Sequence, residues 1–298
     1  MKSVATLAGY AVALAALFGG AAAVGGLLDP SAPGGSAEAR AKVTAMDAMT
    51  AESKGGHGAM PDPLRGLAVA ENGLRLEVLD PEVRRNRTEK LRFRIVDDRG
   101  RPVRDFDVEH TKRMHLIVAR RDLATFQHLH PTMRADGTWS TPLRLSDAGS
   151  YRVFADFSHD DEATTLASDL RVDGAADLAS LPKPVTQAMS DGGYDVRLDR
   201  GAARAGRESE LRFTVLEDGR PVAVEPYLGA DGHLVALREG DLAFLHVHPI
   251  DGDHGGQSAD DDSIGFEATF PTPGSYRLFL QFKRDNRVHT VAFTQDVT

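Results

Sequence analysis

The sequence contains no cysteine among its 298 residues. The chain therefore cannot form disulfides, thiolate metal sites or iron–sulfur clusters, and it lacks a cysteine nucleophile or a cysteine for lipid attachment. Any metal ion must bind through His, Met, Asp or Glu side chains.

A net positive charge is also missing from the sequence. It has 35 Lys and Arg against 44 Asp and Glu, which gives a formal net charge of −9. Nucleic-acid binding needs a basic surface that follows the phosphates, so a nucleic-acid partner is not expected.

The longest uncharged segment lies at the N-terminus, where residues 4–28 carry no charged side chain. Its length favours a transmembrane anchor, whereas the alanines at 21–23 would also serve as the cleavage site of a signal peptide. Both alternatives, a signal anchor or a signal peptide over 1–28, place the rest of the chain on the extracytoplasmic side. Residues 29–65 are rich in Gly, Ala, Pro and Ser and predict a flexible linker.

The remainder of the chain is a tandem duplication. The tripeptide Leu-Arg-Phe at 91–93 returns at 211–213, and short alternating runs bounded by turn residues predict antiparallel strands. We define repeat 1 as residues 66–173 and repeat 2 as residues 191–298, with a linker at 174–190. Such units predict an all-β chain with two tandem immunoglobulin-like β-sandwich domains.

Each repeat carries the histidine pattern H-x12-H-x-H-P, which includes six of the 11 histidines. A tight hairpin would place the first histidine opposite the second, with the third on the same face, so that three imidazoles could bind copper or zinc. The sequence therefore predicts one metal site in each repeat, formed by His115, His128 and His130 and by His233, His246 and His248. Imidazoles of ordinary pKa would release the metal below about pH 6.

Candidate additional ligands distinguish the two predicted sites. Repeat 1 offers His110, Met114 and Asp156, where repeat 2 has Leu228, Gly232 and Gln281. We therefore expect the first site to bind metal more tightly than the second.

Enzymatic patterns are absent. The duplicated H-x-H motif suggests a bicupin, but cupins need a Glu four residues beyond the second histidine, where this sequence has Arg134 and Gly252. No G-x-S-x-G, HExxH or phosphate-loop motif occurs, so the sequence predicts a protein that is not an enzyme.

The segments 110–118 and 128–131, with 227–235 and 246–249 in repeat 2, carry a family resemblance. They resemble the YtkA-like group of secreted bacterial β-sandwich proteins, some of them membrane-anchored proteins of actinobacteria. The resemblance implies an immunoglobulin-like fold and a role in handling copper or other heavy metals outside the cytoplasm.

The functional hypothesis is a membrane-tethered or secreted protein that binds copper, or alternatively zinc, for sequestration or delivery to a metal-transfer or membrane-protein partner. The alternative is an extracellular interaction module whose histidines are structural and satisfied by hydrogen bonds. Convergent imidazoles with available lone pairs would favour metal binding.

Overall fold

The computed structural model describes residues 64–250 and 263–298. The segment 1–28 and nearly all of the predicted linker 29–65 lie outside the described residues. The described part of the chain is all-β. It contains no helix that could cross a membrane.

Repeat 1 is a β-sandwich of two sheets. One sheet has the strand order β1-β2-β4-β8-β7 and the other β3-β10-β9-β5-β6, with only the β3–β10 pair parallel. The strands are β1 (Ala70–Glu71), β2 (Leu74–Val78), β3 (Glu82–Val83), β4 (Thr88–Asp97), β5 (His115–Arg120), β6 (Phe126–Leu129), β7 (Thr132–Met133), β8 (Trp139–Arg144), β9 (Gly149–His159) and β10 (Glu162–Val172).

Repeat 2 repeats this arrangement. Its sheets have the strand orders β11-β12-β13-β18-β17, with β14 paired to β13, and β16-β15-β19-β20. The strands are β11 (Gln187–Met189), β12 (Asp195–Arg200), β13 (Glu208–Glu217), β14 (Arg220–Pro221), β15 (Gly232–Arg238), β16 (Phe244–His246), β17 (His248–Pro249), β18 (Ser263–Thr269), β19 (Gly274–Arg284) and β20 (Arg287–Val297).

A buried tyrosine near the start of β9 and of β19 fixes the same corner in both repeats. The Tyr151 hydroxyl donates to the Asp147 carbonyl at 2.8 Å, and the Tyr276 hydroxyl donates to the Thr272 carbonyl at 3.0 Å. A tyrosine bonded to the backbone a few residues upstream is typical of immunoglobulin-like sandwiches. The prediction of two repeated β-sandwiches is therefore confirmed.

The two repeats share a third apolar core, in addition to the core inside each sandwich. Because successive side chains of a strand point to opposite faces, Leu116 and Val118 enter the repeat 1 core while Ile117 and Ala119 face repeat 2. We call this third cluster the inter-repeat core: Ile117, Ala119, Leu123, Phe154, Ala167, Val235, Leu237, Leu242, Phe244 and Phe279. Both repeats accordingly belong to one compact unit.

The linker between the repeats is also docked on repeat 1. Asp122 forms a buried ion pair with Arg120 and accepts a hydrogen bond from the Ala179 amide at 2.8 Å. Arg120 Nη2 donates to the Asp177 carbonyl at 2.6 Å, and Leu181 packs against the inter-repeat core. These contacts limit how far the repeats could separate.

We predict that Phe279→Ala destabilises the protein by about 3–5 kcal/mol, because it removes a buried ring from the inter-repeat core. The Phe279 ring stacks on Phe126 with ring centroids 4.1 Å apart. Urea unfolding measures the change, and Val288→Ala, at a 40% exposed position in repeat 2, is the control. A loss below about 1 kcal/mol would show that the inter-repeat core adds little stability.

Candidate metal centre

The β5–β6 hairpin brings His115 and His128 together in a register that differs from the prediction. Ile117, rather than His115, lies opposite His128. The turn is centred on Leu123, which is buried in the inter-repeat core with φ of 60°, so the turn is longer than the predicted tight hairpin. A shift of two residues keeps every side chain on its face, and His115 Nδ1 lies 3.0 Å from His128 Nε2.

The third imidazole of this group comes from repeat 2. His233 lies on β15 at the position equivalent to His115 on β5, and its ring stacks 5.3 Å from that of His115 and 4.9 Å from that of His128. Potential ligand nitrogens of His115, His128 and His233 lie within 4.8 Å of one another.

His233 was predicted to bind metal with His246 and His248 in repeat 2, whereas the structure brings it to His115 and His128 of repeat 1. The outer faces of the two equivalent sheets pack against each other, which brings equivalent positions of the two repeats together. His246 ends β16 and His248 begins β17, and these strands belong to different sheets. Their role as ligands stays a prediction.

Two further histidines of repeat 1 join the group, as predicted from the sequence. The His130 ring lies 4.7 Å from the His128 ring, and its buried Nε2 has no hydrogen-bond partner within the described part of the chain. The His110 ring lies 5.5 Å from the His233 ring and 6.2 Å from the His115 ring. These five imidazoles form one connected group, which we call the histidine cluster, and the ligand nitrogens of His115, His128 and His233 converge within it.

A hydrogen bond between Gln281 and Nδ1 of His128 fixes the tautomer of His128. The Gln281 amide nitrogen donates to Thr290 Oγ1 at 3.2 Å, so its Oε1 faces His128 Nδ1 at 2.8 Å as an acceptor. His128 therefore carries its proton on Nδ1, and its Nε2 lone pair points to His115.

His115 lies between two acceptors. Its Nε2 is 3.3 Å from the Glu109 carbonyl oxygen, and its Nδ1 is 3.0 Å from the Nε2 lone pair of His128. A neutral imidazole has a single N–H and cannot donate to both acceptors. When His115 donates to Glu109, two nitrogen lone pairs face each other, and a cation bound between them would remove their repulsion.

Burial keeps three imidazoles of the cluster uncharged. Burial lowers the pKa of His115 to about 4, and burial together with the neighbouring imidazoles lowers the pKa of His128 to about 3. Burial and the positive charge of Lys112 lower the pKa of His130 to about 4. Near neutral pH these nitrogens are therefore available to a metal ion.

Asp156 lies directly across the β5–β9 pair from His115 and accepts a hydrogen bond from Thr165 Oγ1 at 2.6 Å. Burial raises the pKa of the Asp156 carboxyl group. Asp156 thus lies beside the histidine cluster, as the sequence predicted, with its orientation set by Thr165.

The predicted ligand Met114 does not reach the histidine cluster. Its side chain is 1% exposed and packs in the core of repeat 1 with Leu116 and Val118. Because neighbouring residues of an extended chain point to opposite faces, Met114 points into the sandwich while His115 points out of it. Met114 is a core residue.

Sequence reasoning missed the residues that orient the imidazoles. The sequence comparison places Gln281 where repeat 2 lacks a candidate ligand, but Gln281 Oε1 lies 2.8 Å from Nδ1 of the repeat 1 candidate ligand His128. Gln281 lies directly opposite Thr290 on the β19–β20 pair, as Asp156 lies directly opposite Thr165 on the β9–β10 pair. Gln281 and Thr290 are therefore the counterparts of Asp156 and Thr165. Aligning the repeats shows that Gln281 is equivalent to Asp156, but only the packing of the repeats shows that Gln281 contacts His128.

Comparison with solved structures gives distant similarities. The chain is 13% identical to the Escherichia coli adhesin FdeC, covering 78% of this chain and 66% of that chain with a TM-score of 0.26. It is 10% identical to domains 5–6 of the S-layer protein SbsC, covering 75% and 95% with a TM-score of 0.24. Trypsin-activated α2-macroglobulin from Escherichia coli is 13% identical, covering 78% and 16% with a TM-score of 0.27.

The chain thus spans less than two thirds of the adhesin and only 16% of the macroglobulin, and these similarities carry no functional argument. No curated protein matches the sequence. The family described as a domain of unknown function, DUF8832, matches residues 68–174 and again residues 187–298. The chain therefore belongs to the DUF8832 family, of which it contains two copies.

Proposed function

We propose that the protein binds one copper or zinc ion between its two repeats and acts outside the cytoplasm in metal sequestration or delivery. The observation that carries this proposal is the convergence of His115 and His128 from repeat 1 with His233 from repeat 2.

The spacing of the nitrogens suits a metal ion. In a tetrahedral site with metal–nitrogen bonds of about 2.0–2.1 Å, two ligand nitrogens lie about 3.3 Å apart. His115 Nδ1 and His128 Nε2 are 3.0 Å apart, and small side-chain rotations would bring His233 to the same ion. His130 or Asp156 would supply a further ligand.

The hydrogen-bond partners of His115 Nε2 and His128 Nδ1, the ring nitrogens that point away from each other, also support metal binding. Histidine ligands of metals usually donate their second N–H to a carbonyl or carboxylate, which fixes the ring and its tautomer. The Glu109 carbonyl and the Gln281 side chain have these positions for His115 and His128.

Imidazole ligands suit both Cu(II) and Zn(II), and copper binds more strongly than zinc at a given nitrogen site. We favour copper for this reason and because of the resemblance to the YtkA-like group. The extracytoplasmic location and the membrane tether rest on the sequence of residues 4–28.

The alternative function, an interaction module with structural histidines, is less well supported. Two histidines outside the cluster bond to the backbone: His289 Nε2 contacts the Arg284 carbonyl at 3.2 Å, and His159 Nδ1 contacts the Asp105 carbonyl at 2.9 Å. The histidine cluster differs from these residues because its imidazoles face one another.

We predict that His233→Ala lowers the affinity for Cu(II) and Zn(II) at least about a hundredfold, since loss of a ligand exceeds the usual effect of losing a ligand's hydrogen-bond partner. Isothermal titration calorimetry measures the affinity of the purified protein. His159→Ala, which removes a histidine outside the cluster, is the matched control. Unchanged affinity in His233→Ala would mean that repeat 2 contributes no ligand.

We predict that zinc affinity is nearly constant from about pH 8 to pH 6 and falls only below about pH 5. The pKa values of about 3 to 4 for His115, His128 and His130 mean that protons compete for their lone pairs only in that lower range. This replaces the pH 6 limit expected for exposed imidazoles.

Calorimetric titrations at several pH values, with circular dichroism at each pH to confirm folding, test this pH profile. A decline that begins near pH 7 would indicate solvent-exposed imidazoles of ordinary pKa as the ligands.

A further inference from the structure

A two-residue β-turn lies at the rim of the histidine cluster. Glu109 and Lys112 exchange backbone hydrogen bonds of 2.8 Å in both directions, and the central residues His110 and Thr111 have φ of 45° and 68°. A turn with two positive φ values favours Asn-Gly or a similar pair; His is among the residues that tolerate a positive φ, whereas the β-branched Thr111 is an unfavourable choice for the backbone. We call residues 109–112 the rim turn.

Repeat 2 has the equivalent turn, in which a glycine stands at the second central position in place of Thr111. Tyr227 and Ala230 exchange the same backbone hydrogen bonds around Leu228 and Gly229, whose φ values are 57° and 86°. A Cβ at Gly229 would lie 3.9 Å from Thr111 Cγ2, so the two turns meet across the repeats. The pair at 110–111 therefore places an imidazole where repeat 2 has an apolar side chain.

The rim turn contacts the histidine cluster at several points. The Glu109 carbonyl lies 3.3 Å from His115 Nε2, and the His110 ring lies edge-on to the rings of both His115 and His233. At the far end of the rim turn, the positive charge of Lys112 lowers the pKa of His130, so a cation is repelled at that end. The His110 position of the rim turn is thus the easier approach for a metal ion.

Burial distinguishes His110 from His115. His115 is 4% exposed, whereas His110 is half-buried beside the exposed Thr111. Strained backbone positions persist where the surrounding structure holds them, and they concentrate at functional sites.

We propose that the rim turn is the entrance of the metal centre and that His110 is its exchange ligand. This inference rests on the proposed metal binding. An incoming ion binds His110 first, passes by ligand exchange to His115 and His233, and leaves by the reverse route. Each step replaces one nitrogen or water ligand by another, and the oxidation state of the metal does not change.

Stopped-flow kinetics with zinc ions test the entrance. Zinc uptake from a zinc-loaded indicator dye and zinc release to excess EDTA are measured on the full chain and on His110→Asn, in which asparagine preserves the positive φ. His110→Leu, which introduces the residue of repeat 2, is the second variant, and His159→Ala is the control.

We expect both His110 variants to slow uptake and release alike, each by about tenfold. If the route passes through His110, its loss raises the same barrier in both directions. The ratio of the two rates, and with it the equilibrium affinity, should therefore change much less than either rate. The control should match the unsubstituted protein.

Three other outcomes would overturn the inference. Unchanged rates in both variants would mean that the ion enters elsewhere. Faster release with unchanged uptake would make His110 a permanent ligand rather than an exchange ligand. If the unsubstituted protein takes up no zinc or copper, the proposed function fails together with the entrance, whereas the first two outcomes leave metal binding intact.

Discussion

The packing of the outer sheet faces of the two repeats is the interaction on which the candidate metal centre depends. Ile117 and Val235 occupy equivalent positions two residues beyond His115 and His233, and all four side chains lie on the faces that meet. Burial of the apolar residues therefore brings the two histidines together. The group formed by His115, His128 and His233 is a consequence of how the repeats dock, and neither repeat contains it alone.

Duplication followed by divergence explains why the two halves contribute differently. Asp156 and Gln281 are equivalent residues, yet one places a carboxyl group beside His115 and the other orients His128 through an amide. In the same way, His110 and Leu228 are the first central residues of equivalent turns. The two copies therefore contribute different side chains to the histidine cluster.

The sequence was sufficient to predict the β-sandwich repeats, because strand alternation and the returning motifs are local signals. It also identified His110, His115, His128, His130 and His233 as candidate ligands. It could not predict that His233 joins the repeat 1 residues, since this depends on the packing of Phe279, Phe126 and their neighbours between distant segments. Met114 lies one residue before β5. Its position in the core follows only when the alternation of side chains along β5 is extended back by that one residue, so the prediction of Met114 as a ligand was wrong.

Anomalous diffraction from crystals grown with one equivalent of zinc is the most direct measurement of the central claim. Data collected at the zinc absorption edge should give a single strong peak within about 2.0–2.1 Å of nitrogens from His115, His128 and His233. A peak that contacts ligands of only one repeat, or separate peaks at the two H-x-H motifs, would contradict a metal centre shared between the repeats.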